Sequence, residues 1–153
     1  MWQAGERPRV LVADSDDVTL TQTALRLGRA GYEVLVARDG EEALARATAE
    51  HPDLCLLDAV TRKLSGYDVT RRLRADERTC DVPVLLMTAR VQRHAPGDRD
   101  SGADGVIAKA CSSHELRTRV RALLAQNAPR RISTAGTVFS RITRSSATDQ
   151  RSR

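Results

Sequence analysis

Leu54-Cys55-Leu56-Leu57-Asp58 is a four-residue apolar run closed by an acid, and the same design recurs three more times in the chain. Val10-Leu11-Val12-Ala13 runs into Asp14, Val84-Leu85-Leu86-Met87 into Thr88, and Val106-Ile107-Ala108 into Lys109. A short apolar run bounded by turn signals reads as a strand buried on both faces, the kind found in parallel sheets. In an open parallel α/β sheet, ligands bind in the crevice outside the carboxyl ends of the strands. The four closing residues would then gather on one rim as two acids, a hydroxyl and an amine. That set suits a carboxylate that accepts a phosphoryl group beside a divalent metal.

The stretches between the runs carry helix signals. Strands are expected over 9–13, 33–37, 53–57, 82–87 and 105–108, with helices over 17–30, 40–50 and 67–75. A last helix follows the capping box Ser112-Ser-His-Glu115, with Leu116, Val120, Leu123 and Leu124 as its apolar stripe. Strands alternating with helices imply a doubly wound sheet with right-handed crossovers. The fourth helical slot breaks the rhythm. Pro96-Gly97 interrupts it and few apolar residues remain to dock it, so a short helix or a disordered loop is expected there.

Composition narrows the function classes. The chain has 153 residues, 41% of them hydrophobic, enough to bury a core. No run of about 18 apolar residues suggests a membrane span. The N-terminal residues show no signal-peptide pattern, so a cytoplasmic location is expected. Three cysteines, Cys55, Cys80 and Cys111, lack paired metal spacing and read as reduced thiols. The net charge of +5 belongs to the end of the chain, where six arginines after Asn127 face one aspartate. The first 127 residues carry nineteen basic and nineteen acidic side chains. A folded nucleic-acid reader shows a basic face on its folded part, so nucleic acid is disfavoured as a partner. Residues 1–7 are expected to be a flexible start, 8–126 the domain, and 127–153 a basic disordered tail. No glycine-rich phosphate loop follows the first run, which argues against a nucleotide-binding enzyme.

Taken together, the spaced pieces resemble a bacterial response-regulator receiver domain. They are Val-Leu-Val-Ala-Asp14, Asp39-Gly-Glu-Glu-Ala-Leu44, Pro52-Asp-Leu-Cys-Leu-Leu-Asp58, Gly66-Tyr-Asp-Val, Pro83-Val-Leu-Leu-Met-Thr-Ala89, Gly102-Ala-Asp104 and Lys109. The resemblance implies a flavodoxin-like five-stranded parallel sheet of order 2-1-3-4-5. It also implies phosphoryl transfer from a sensor histidine kinase or a phosphotransfer protein to an aspartate. Asp58 would be the phosphoacceptor. Asp14, Asp58 and the backbone carbonyl of Val60 would hold magnesium (Mg2+). Thr88 and Lys109 would contact the phosphoryl group, and Val106 would stand at the switch position.

Several residues depart from the family pattern. Ser15 stands where a second metal-binding acid is usual, which weakens the metal site unless Ser15 itself or Asp16 compensates; Asp16 is equally a helix N-cap. Arg62 and Ala110 each replace a proline, the latter one that normally takes a cis bond. Val106 replaces the aromatic ring that swings in the family's switch. Val60 and Arg90 occupy the positions that tune hydrolysis and neither orients a water, so a long-lived acyl phosphate is expected. The first function that follows is a stand-alone receiver signalling by contact with an unknown downstream protein. The second is a phosphorylation-independent pseudo-receiver scaffold. The third is a nucleic-acid-binding accessory protein acting through the basic tail. No metabolic enzyme is expected, and the pattern leaves the oligomeric state open.

Overall fold

Five strands, β1 (Arg9–Ala13), β2 (Glu33–Ala37), β3 (Leu54–Asp58), β4 (Val84–Thr88) and β5 (Gly105–Ala108), form one parallel sheet in the order β2-β1-β3-β4-β5. The computed structural model describes residues 4–89 and 100–127. Among these are four helices, α1 (Asp17–Arg29), α2 (Gly40–Glu50), α3 (Gly66–Ala75) and α4 (Ser113–Gln126). The helix expected between the fourth and fifth strands falls mainly on residues 90–99, outside the described part. So do the proposed tail from 128 onward and residues 1–3.

The sheet is buried on both sides because successive strand residues point to opposite faces. Val10 and Val12 of β1, with Leu54 and Leu56 of β3, face Leu20 and Leu27 of α1 and Leu116, Val120 and Leu124 of α4. Leu11, Ala13, Cys55 and Leu57 face the other way, toward Ala43 and Ala47 of α2 and Val69 and Leu73 of α3. Two apolar layers on one sheet explain why the strands read as unbroken apolar runs rather than alternating ones.

Helix starts follow the sequence closely. Asp16, Asp39, Ser65 and Ser112 are N-caps, and each side chain accepts the backbone N–H three residues on. Helix α2 stops at His51, which takes a left-handed backbone conformation before Pro52. The strand bounds shift slightly. β4 begins at Val84 rather than at residue 82, since Pro83 has no N–H for the ladder. β3 begins at Leu54, after an Asp53 carboxylate that accepts the Arg9 N–H at 2.7 Å. Both strands run one residue beyond expectation, to Asp58 and Thr88. Helix α3 starts one residue early, at Gly66.

Arg74 closes the far end of the sheet. Its guanidinium donates to the carbonyls of Cys80, Val82 and Gly102 and to the Asp104 carboxylate. Asp104 in turn accepts the Val84 N–H at 2.8 Å, so one arginine ties the end of α3 to the starts of β4 and β5. The three cysteines are free thiols, with Cys55 and Cys111 buried. Among the described residues no helix is long and apolar enough to cross a membrane.

Candidate functional site at the carboxyl rim

Strand order decides which closing residues meet. β1 and β3 are neighbours with Ala13 opposite Leu57, so Asp14 and Asp58 leave the sheet side by side. β4 lies next, and its last residue, Thr88, is buried at the same rim. Lys109 follows β5, where its N–H donates to the Thr88 carbonyl at 2.8 Å and extends the ladder. From there the long side chain crosses back over β4. Its Nζ lies 2.8 Å from Asp58 Oδ2 and 2.9 Å from Asp14 Oδ2. A flexible four-carbon stem allows this reach.

The remaining carboxylate oxygens are held by local backbone. Asp14 Oδ1 accepts the Asp16 N–H at 2.9 Å, and Asp58 Oδ1 accepts the Val60 N–H at 3.1 Å. The free rotation of both acids is thereby removed. Asp14 is 1% exposed, and burial pushes its pKa up from the ordinary carboxylate value. The Asp16 amide and the Lys109 ammonium pull it back, while the Asp58 charge adds to the rise. Lys109 experiences the opposite balance. Burial works against its charge, but the hydrogen bond to Asp58 and the close Asp14 carboxylate outweigh this and leave its pKa raised.

Two acids and one ammonium leave the trio one negative charge in excess. Asp14 Oδ2 is buried and accepts no hydrogen bond of good angle, although the ammonium is near it. Two hard carboxylate oxygens therefore converge on the Lys109 ammonium. Magnesium takes oxygen ligands, commonly one or two carboxylates with several waters. The donor set fits Mg2+ as a two-carboxylate site. Among the described residues no three acidic, histidine or cysteine side chains group to hold a metal.

Neither residue named as a stand-in for the missing acid adds a third carboxylate here. The Asp16 carboxylate caps α1, accepting from the N–H and hydroxyl of Thr19. The Ser15 hydroxyl oxygen accepts the Arg62 N–H at 2.7 Å. Val60 stands on the rim, 76% exposed. Val106 is partly buried against the α2–α3 side of the core, across from Leu86. The Lys109–Ala110 peptide bond is trans, since no cis bond occurs among the described residues, and the lysine still reaches both acids. Cys111 is buried and its thiol pKa is raised, chiefly by that burial and further by the Glu115 charge. A protonated, covered thiol is a poor nucleophile.

Sequence reading missed the role of Gly66. A Cβ there would lie 2.3 Å from the Asp58 carbonyl oxygen, so the start of α3 passes directly under the end of β3. Its N–H donates to the Ala59 carbonyl at 3.1 Å. Glycine directly after a serine cap was the available signal, but one sequence does not say what the missing side chain makes room for.

Comparison with known proteins agrees with this geometry. Residues 10–121 match the model of the response regulator receiver domain. The DNA-binding dual master transcriptional regulator RpaA of Synechocystis is 43% identical over 119 residues, 76% of this chain and 49% of that protein. The chain thus spans about half the length of the curated relative. A crystal structure of a response regulator from Chloroflexus aurantiacus is 33% identical with a TM-score of 0.75, covering 78% of this chain and 99% of that one. The receiver domain of a sensor histidine kinase from Pseudomonas aeruginosa is 26% identical with a TM-score of 0.74, covering 78% of this chain and 99% of that one; its structure has a magnesium ion coordinated in the active-site cleft. The strand order, the two rim acids with their shared lysine, and these matches establish that the chain belongs to the response-regulator receiver domain family.

Proposed function

We propose that this receiver accepts a phosphoryl group on Asp58 from a sensor histidine kinase or a phosphotransfer protein, and passes the signal on by contact with a downstream protein. The observation that carries this reading is the pair of 2.8 and 2.9 Å contacts that Lys109 Nζ makes with Asp58 and Asp14. An Asp58 carboxylate oxygen attacks the phosphorus in line. The P–N bond of the phosphohistidine breaks, an acyl phosphate forms, and the imidazole nitrogen takes up a proton. Asp14, Asp58 and the Val60 carbonyl would hold Mg2+, which would supply positive charge against the phosphoryl oxygens. Lys109 leaves its bridge between the two acids to pair with one of those oxygens, and the Thr88 hydroxyl donates to another. Such transfer depends on position and electrostatics, and the buried acids and their fixed backbone partners supply both.

Incubation of the purified chain with MgCl2 and acetyl phosphate, read by intact mass, tests this. One added phosphoryl group that disappears in Asp58→Ala supports it. No mass gain from a folded protein favours the phosphorylation-independent scaffold instead, a reading to which the lack of a third metal-binding acid among the described residues lends weight. The name of RpaA raises a DNA-linked output as a second reading. Salt-sensitive duplex binding that vanishes when the chain is cut after Asn127 would support that output and assign it to the basic segment.

A further inference from the structure

We propose that Ser15 is a positioning residue: its hydroxyl ties the loop that follows Asp58 to the turn that follows Asp14. The proposal rests on the reading of Asp58 as phosphoacceptor. It concerns how that acid is held before metal or phosphodonor arrives.

The peptide at Arg62 is the knot. Its N–H donates to Ser15 Oγ at 2.7 Å across 47 residues of sequence. Its carbonyl accepts from the Gly40 N–H at 3.0 Å and from the Leu64 N–H at 2.7 Å. One residue in the loop therefore binds the β1–α1 turn, the first residue of α2 and its own loop. Contact with α2 is close: a Cβ on Gly40 would fall 1.8 Å from the Leu64 carbonyl oxygen, so only glycine admits the loop there. Within the loop, the Thr61 hydroxyl donates to the Leu64 carbonyl at 2.6 Å. The loop is thus closed on itself and fastened to α2, and Ser15 is the fastening on the side of Asp14.

Charge explains why a hydroxyl suits this position. Asp14 and Asp58 share one ammonium, and a third carboxylate beside them would leave two negative charges uncompensated until a cation bound. Serine accepts the same amide without adding charge. The two loops are thus joined by a hydrogen bond between neutral groups. The consequence is a rim that draws Mg2+ less strongly than a three-acid rim would.

The test uses the full chain. Solvent exchange of the Arg62 amide is followed by NMR with neither Mg2+ nor phosphodonor present, in wild type, Ser15→Ala and Ser15→Thr. Loss of the acceptor is expected to speed exchange roughly two- to tenfold, the range that corresponds to one exposed neutral hydrogen bond. Threonine, which keeps the hydroxyl, is expected to restore slow exchange. At saturating MgCl2, Ser15→Ala is expected to accept phosphate from acetyl phosphate several-fold more slowly while remaining folded, its unfolding midpoint lowered by no more than the loss of one exposed hydrogen bond produces, and Ser15→Thr to recover the rate. Calorimetric titration with MgCl2 is expected to show Ser15→Asp binding at least tenfold more tightly than wild type. Unchanged Arg62 exchange in Ser15→Ala overturns the tether. Unchanged Mg2+ affinity in Ser15→Asp overturns the claim that the hydroxyl occupies a ligand position. A wild type that never gains phosphate removes the functional reading, and the exchange comparison still decides the tether.

Discussion

Asp14 is the residue on which site and stability pull in opposite directions. It is almost fully buried, and its ionised form is disfavoured mainly by desolvation. A carboxyl whose pKa is raised on folding favours the folded state below the ordinary carboxylate value, and this contribution is lost as pH rises through the raised value. Asp14→Asn keeps an acceptor for the Asp16 N–H and removes the buried charge. It is therefore expected to gain about 0.5–2 kcal/mol over wild type at neutral pH, while losing Mg2+ affinity. Urea unfolding of both proteins from about pH 4 to 8 checks the sign. A gap that widens in favour of the variant as pH rises is expected; a gap of opposite slope would assign the perturbation to another group. Lys109 behaves as the counterpart. Its raised pKa means that the pairing stays in place up to the ordinary lysine value and is lost only above it. Lys109→Met should cost about 1–3 kcal/mol at pH 7, because two carboxylates then face each other at the rim. This cost should shrink in acid as Asp14 takes up a proton. Val60 gives a kinetic prediction. An apolar side chain, 76% exposed beside Asp58, orients no attacking water. The acyl phosphate should outlast that of Val60→Gln several-fold, measured as the loss of phosphorylated mass after donor removal. Equal lifetimes would mean that water is positioned by a different group.

At the level of elements, the junction of β3 and α3 sets the position of the acceptor. The helix begins against the carbonyl of the strand's last residue, and Gly66 leaves the needed space. Gly66→Ala must move either the helix start or the Asp58 peptide. A destabilisation of about 1–3 kcal/mol is expected from thermal or urea unfolding, with slower phosphorylation by acetyl phosphate. Normal phosphorylation in a destabilised variant would show that the helix, not the acid, absorbs the shift. The helix starts themselves were legible from sequence because capping is local. Asp16, Asp39, Ser65 and Ser112 each need only an amide three residues away. Pro83 moved the start of β4 because it has no N–H for the ladder, whereas Asp53 moved that of β3 for a reason outside its own segment, since its carboxylate serves the Arg9 amide 44 residues earlier.

Across the whole molecule, the sheet order turns four separate strand ends into one chemical site, and cation binding should then be felt by the entire fold. A ligand that binds only the native state adds about 2.7 kcal/mol of stability at a hundred times its Kd. Raising MgCl2 should increase the unfolding midpoint of the wild type, and EDTA should return it to the starting value. The same titration of Asp58→Asn should be flat; an equal rise in both proteins would place the cation elsewhere. The amino-acid sequence by itself determined the alternation of strands and helices, the two-sided burial of the sheet, the Ser112 cap and the family, because apolar periodicity and capping act over a few residues. That Asp14, Asp58 and Lys109 share one rim was legible from the strand ends, but the direct contacts of the ammonium with both acids were not, since 95 residues of chain separate Asp14 from Lys109. Tertiary structure alone decided that Ser15 holds the Arg62 amide and that α3 passes beneath the Asp58 carbonyl. Those two facts depend on how close two loops or backbones come, a distance set by the packing of helices on both faces of the sheet and written in no local stretch of residues.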